Sequence, residues 1–164
     1  VLFRSRKYNC ELYLKREDLQ VVRSYKLRGA YNMMSSLPPE VLQRGVVCAS
    51  AGNHAQGFAY SCKKLNVHGV VFMPVITPNQ KINQTRMHGE NWVEVRLVGD
   101  TFDDCALAAR HYTESKQMTF IPPFDDLRII EGQGTVAVEV LEELSDIDYL
   151  FVRSEEHTSE LQSH

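Results

Sequence analysis

From residue 46 onward, short runs of β-branched and aromatic residues alternate with longer segments of helical character, and this alternation constrains the fold more than any other feature of the chain. The runs at 46–49 (VVCA), 70–73 (VVFM), 92–98 (WVEVRLV), 119–121 (TFI) and 149–152 (YLFV) are short and rich in strand formers, so they are expected as strands. Between them, 53–65, 78–88, 101–116 and 132–144 are expected as helices. Pro78 suits the first helical position after Thr77, and Asp100 or Thr101 suits the cap of the 101–116 segment. Strand and helix in turn build βαβ units, which predicts an α/β fold: a mostly parallel sheet with flanking helices. Such sheets bind ligands outside the carboxyl ends of their strands, so the loops after Ala49, Met73, Val98 and Val152 are the places to search.

Charge and composition narrow the function. Lysine and arginine number 18 against 21 acidic residues, a formal net charge of −3, which offers no electrostatic footprint for nucleic acid or an anionic membrane. No apolar run approaches the ~20 residues of a membrane span. The 4 cysteines, Cys10, Cys48, Cys62 and Cys105, lack paired metal spacing and are expected as buried thiols in a reducing cytoplasm. His68, His88 and His111 show no ligand spacing either, so no metal is expected.

The two ends of the chain share an unusual relation. VLFRS at 1–5 can be encoded as GTG CTC TTC CGA TCT, and RSEEH at 153–157 as AGA TCG GAA GAG CAC, and these two are reverse complements. A short insert between inverted copies of one oligonucleotide produces that relation, and a globular protein has no need of it. Residues 1–5 and 153–164 are therefore expected to be adapter-like artefacts, leaving 6–152 as one unit of ordinary domain size.

Two stretches carry chemistry. The loop ASAGNHAQG at 49–57 leads from a strand into a helix, where free backbone N–H groups and the positive end of the helix dipole favour an anion. The carboxylate of a small amino acid would fit there, with Ser50, Ala51, Gly52, Asn53 and His54 around it. Spacing alone gives equal weight to a plainer assignment, in which Ser50 and Asn53 cap the helix and His54 is a solvated first-turn residue. The second stretch is SYKLRGAYN at 24–32, where Lys26 stands at a helix start, against the dipole. An amine that must add to a carbonyl needs its neutral form; a neighbouring cation such as Arg28 and desolvation by Tyr25 and Leu27 are expected to favour it.

KREDLQ at 15–20, SYKLRGAYN and CASAGNHAQG at 48–57 together resemble the threonine dehydratases, fold type II enzymes dependent on pyridoxal 5′-phosphate. The resemblance continues through FMP at 72–74, GDTFDD at 99–104, PFDD at 123–126 and EGQGT at 131–135. The family carries a histidine before PFDD where this chain has Pro122. The resemblance implies that Lys26 is the Schiff-base lysine and general base, that Asn53 hydrogen-bonds the cofactor, and that the 50–54 loop holds the substrate carboxylate. It implies an ammonia-lyase converting L-threonine to 2-oxobutanoate and ammonia in a cytoplasmic, homo-oligomeric parent enzyme. Arg28, Glu17 and Asp18 are expected chiefly as an ion-paired scaffold around the lysine, since charge runs are usually structural.

Two alternatives stand beside that expectation: a serine dehydratase or serine racemase-like enzyme, and a non-catalytic protein of the same fold. The resemblance further implies that 6–152 is the N-terminal part of such an enzyme, the lysine segment plus the small domain of a truncated tryptophan synthase β-like fold. In the family a glycine run cradling the cofactor phosphate follows the strand at 149–152, whereas no glycine follows Gly134 here. The chain as it stands is expected to be inactive and poorly soluble.

Overall fold

The computed structural model describes residues 2–152, with the side chains described from Ser5 onward. Its framework is a four-stranded sheet in the order β3-β2-β1-β4, formed by β1 (Val46–Ala49), β2 (Gly69–Met73), β3 (Val93–Leu97) and β4 (Thr119–Phe120). Every pairing is parallel, with Val46 opposite Gly69 on one side of β1 and opposite Thr119 on the other. Helices α4 (Asn53–Leu65), α5 (Asn79–Gly89) and α6 (Phe102–Lys116) make the crossovers, while α1 (Leu2–Tyr8), α2 (Lys26–Ser35) and the short α3 (Pro39–Leu42) precede the sheet and α7 (Leu127–Glu143) follows it.

The strands alternate between two cores, as the pleat dictates. Val46, Cys48, Val71 and Met73 face Met34, Phe58, Cys62 and Ile82, whereas Val47, Ala49, Val70 and Phe72 face Cys105 and Ala109 of α6. With both faces covered, β1 and β2 are buried at every position. Their unbroken apolar runs follow from this, because a polar residue would have no water to reach.

Several boundaries differ from the sequence expectation, each for a local reason. Thr101 caps α6 by accepting from the Asp104 amide, so the helix itself begins at Phe102. Pro78 is the residue before α5, not its first member. Helix α7 begins five residues ahead of the expected 132, because the Asp126 carboxylate accepts from the Arg128 amide and caps it there. Glycine at 132 serves packing: a Cβ there would come within 2.7 Å of Asn32 Cβ and 2.8 Å of Gly29 Cα, so it lets α2 and α7 cross closely.

The expected strand at 149–152 is not formed. Tyr149 and Phe151 are 80% and 88% exposed, and the segment joins no ladder among the described residues. A strand is held by hydrogen bonds to a neighbour, and the short edge strand β4 is already followed by the loop into α7. Among the cysteines, Cys48, Cys62 and Cys105 are buried as expected, but Cys10 is exposed. No described helix is long and apolar enough to cross a membrane, and no described group of His, Cys, Asp or Glu could hold a metal ion.

Candidate active site

The chain moves from β1 through β2 to β3 in one direction and then returns to place β4 on the other side of β1. The carboxyl ends of β1 and β4 therefore flank the point where strand order reverses, the position at which open α/β sheets take ligands. Three segments meet there: the 50–54 loop, the start of α2, and residues 121–124 beyond β4.

Lys26 begins α2 and is buried, 6% exposed as a residue. Ser24 Oγ accepts from the Lys26 amide at 3.3 Å, ordering the turn that the lysine itself cannot cap. The ammonium reaches across the fold to donate to the Pro123 carbonyl at 3.1 Å, with the Phe124 ring centroid 6.0 Å away. A charge on a first turn is thus disfavoured by the dipole but held by tertiary contact. Gly57 of α4 makes the approach possible, since a Cβ there would lie 2.9 Å from both the amide nitrogen and Cα of Leu27.

The expected role of Arg28 as a second cation beside Lys26 is not realised. Two residues along a helix is roughly 200° of rotation, so the guanidinium lies on the opposite face. There it is bound by Glu17 at 2.8 and 3.0 Å, by Glu139 at 2.6 and 2.9 Å, and by Thr135 Oγ1 at 2.9 Å. Glu139 and then Glu17 push the guanidinium pKa up, and Arg28 followed by Lys15 draws the Glu139 carboxyl down to about 2. Of the expected scaffold, Glu17 takes part. Asp18 instead pairs with Arg16 at 2.7 Å in solvent, and Glu139, distant in sequence, supplies the other carboxylate. Leu27 is buried beside the lysine and Tyr25 is half-buried.

In the 50–54 loop, the cap-only assignment fails. Gly52 is the residue preceding α4 and has no side chain with which to cap it, and Asn53 is already the helix's first member. Ser50 Oγ accepts from the Gly52 amide at 3.2 Å, bracing the loop itself. A Cβ built on Gly52 would meet nothing within 4 Å, so space opens in front of the loop and of the first-turn amides, which lack intrahelical acceptors. That opening and its donors suit a carboxylate.

His54 is not a solvated residue but is 3% exposed. Its Nε2 lies 3.1 Å from the Ile121 carbonyl oxygen; a carbonyl only accepts, so Nε2 carries the proton and Nδ1 is bare. Nδ1 is buried without a partner in the described structure. Burial, with a smaller contribution from the Lys26 charge, lowers the imidazole pKa to about 4 despite the opposing Ile121 bond.

Sequence reasoning singled out the PFDD run but not the loop at 121–124 as a site element, although Ile121 and Pro123 carbonyls receive His54 and Lys26. These are backbone acceptors, which leave no side-chain signature. A buried primary amine, an unpartnered buried ring nitrogen and an open loop of backbone donors at one switch point form a donor set that fits pyridoxal phosphate: Lys26 can bond its aldehyde carbon, and the loop can hold the amino acid that joins it.

Comparison with known proteins agrees. Residues 2–155 match the pyridoxal-phosphate dependent enzyme family. The chain is 56% identical over 148 residues to the biosynthetic L-threonine dehydratase of Halalkalibacterium halodurans and 57% identical over 151 residues to that of Staphylococcus aureus, covering 90% of this chain and 36% of each relative. Among solved structures, the processed form of threonine deaminase isoform 2 from Solanum lycopersicum superposes with a TM-score of 0.83 at 47% identity, over 87% of this chain and 39% of that one. Serine racemase from Dictyostelium discoideum superposes with a TM-score of 0.79 at 35% identity, over 88% and 46%. The chain thus spans somewhat more than a third of the length of the dehydratases it matches. The parallel sheet, the buried Lys26 and the match over nearly its whole length together place it in the pyridoxal-phosphate dependent enzyme family, with the fold type II architecture.

Proposed function

We propose that the protein to which this chain belongs deaminates L-threonine to 2-oxobutanoate and ammonia. The observation that carries this is Lys26, its amine buried and held on Pro123 at the switch point beside the 50–54 loop, in a chain 56% and 57% identical to biosynthetic threonine dehydratases. Pyridoxal phosphate, when bound, supplies the electron sink that makes the α-proton of the amino acid labile. Lys26 Nζ takes that proton as a positioned general base. Ser50 and the amides of the 50–54 loop grip the carboxylate, so that the α-carbon faces the amine. Asn53 orients the cofactor from the first turn of α4. His54, neutral and braced on Ile121, ties that turn to the loop that carries Pro123. The β-hydroxyl leaves as water, balanced by the proton that Lys26 has taken, and hydrolysis of the released enamine yields 2-oxobutanoate and ammonia.

The turnover is assigned to the full-length protein, since the curated relatives are much longer than 164 residues. Residues 6–152 are taken as its lysine segment and small domain, and the chain alone is expected to form no 2-oxobutanoate. A cytoplasmic homo-oligomer acting on a small amino acid accords with this reading. The likeness to a serine racemase supports a second reading, in which serine is the substrate. Measuring 2-oxobutanoate from L-threonine, and pyruvate and D-serine from L-serine, with the full-length protein separates the two. Absence of product from either amino acid refutes both and leaves a non-catalytic protein of the same fold.

A further inference from the structure

Helix α2 is gripped between α4 and α7 through glycines, at Gly57 on one side and at Gly29 and Gly132 on the other. Contacts of this kind let backbones approach closely, but they are smooth and do little to stop a helix sliding or turning about its axis. Lys26 needs both motions stopped, because its amine is useful only in one place.

We propose that Arg28 is the positioning residue that fixes Lys26, by locking the first turn of α2 to the 15–19 segment and to α7 at once. All five guanidinium N–H groups are engaged: Nε and Nη2 with Glu17, Nη2 and Nη1 with Glu139, and Nη1 with Thr135 Oγ1. Such a planar fork specifies orientation as well as distance, which a point charge does not. One turn further along the same face, Asn32 Nδ2 donates to the Arg128 carbonyl at 2.7 Å, adding a second tie to α7. Lys15 also pairs with Glu139, joining the 15–19 segment to α7 directly. The lock and the amine occupy opposite faces of α2, so the lock acts on Lys26 through the rigid turn and touches no substrate.

The inference rests on the reading that Lys26 receives the cofactor. Its test uses the full-length protein to which the chain belongs, with pyridoxal phosphate as probe, borohydride reduction, and peptide mapping of the pyridoxyl label on each lysine. The exposed Lys63 and Lys64 serve as internal standards. In the wild type the label is expected chiefly on Lys26. Arg28→Lys, measured well below its melting temperature, is expected to lower the ratio of Lys26 to Lys63 and Lys64 labelling by about tenfold, as small misplacements of a reacting group do. Glu139→Gln is expected to lower it by a few fold, and it decides the matter if Arg28→Lys does not fold. Wild-type ratios in the folded variants, or losses that merely track the fraction unfolded by circular dichroism, overturn the positioning role while leaving the function reading intact. A wild type that labels its lysines indiscriminately overturns that reading, and this inference with it.

Discussion

Strand β1 and the segment 149–152 have the same kind of sequence, VVCA against YLFV, and opposite fates. Every residue of β1 is buried, with β2 paired on one side and β4 on the other, and with α4 and α6 against its two faces. The later segment stands in solvent, its one described ring contact being Tyr149 with Phe151 at 6.4 Å. Apolar, β-branched and aromatic composition gives a segment the capacity to be a strand. A neighbouring edge and a covering helix turn that capacity into structure.

Truncating side chains in the two regions should expose the contrast most strongly. Phe58, fully buried against Cys62 and the sheet, is expected to cost about 3 to 5 kcal/mol as Phe58→Ala. Phe151→Ala is expected to stay within about 0.5 kcal/mol. Denaturant melts of the two variants check this, and equal losses would mean that 149–152 packs after all.

The buried region also contains a titrating group. His54 is held neutral with its pKa lowered from 6.5 to about 4, so between those values the unfolded chain binds more protons than the folded one. Stability is therefore complete above pH ~6.5 and falls as pH drops toward 4, by at most about 3 kcal/mol. Melting temperatures across that range should show the slope, and His54→Asn should flatten it. An unchanged slope in the variant would assign the acid sensitivity elsewhere.

Helix crossings sharpen the same comparison. Gly57→Ala puts a methyl 2.9 Å from the Leu27 backbone and is expected to destabilise by about 1 to 3 kcal/mol, whereas Gly134→Ala, with open space around its Cβ, should be neutral or stabilising. Chemical denaturation of the pair tests whether α2 really rests on α4 at that point. The smallest effect is expected at the α6 cap, where Thr101→Ala should cost about 1 kcal/mol, with loss of amide protection confined to the first turn.

Much of this was legible in local sequence. The strands around β1 and β2, the helix from Asn53 to Leu65 and the Thr101 cap all lie within a residue or so of where periodicity and capping rules put them. Helix α7 starts ahead of the expected 132 because Gly132, which reads as a boundary, stands inside the helix to let α2 approach closely. His54 could be taken for a solvated residue because nothing in ASAGNHAQG says which way the imidazole turns.

The sequence by itself determined the α/β alternation, the two-sided burial of the central strands, and the lysine and loop segments proposed to carry the chemistry, because these depend on spacing and side-chain type over a few residues. Tertiary structure alone decided that β4 lies beside β1, and this brings Pro123 to Lys26 over a separation of 97 residues and Ile121 to His54 over 67. It also decided that Arg28 is neutralised by Glu139, 111 residues away, and not left as a free cation beside the amine. Burial and pairing across such distances depend on which surfaces the folded chain covers, and no local stretch encodes that.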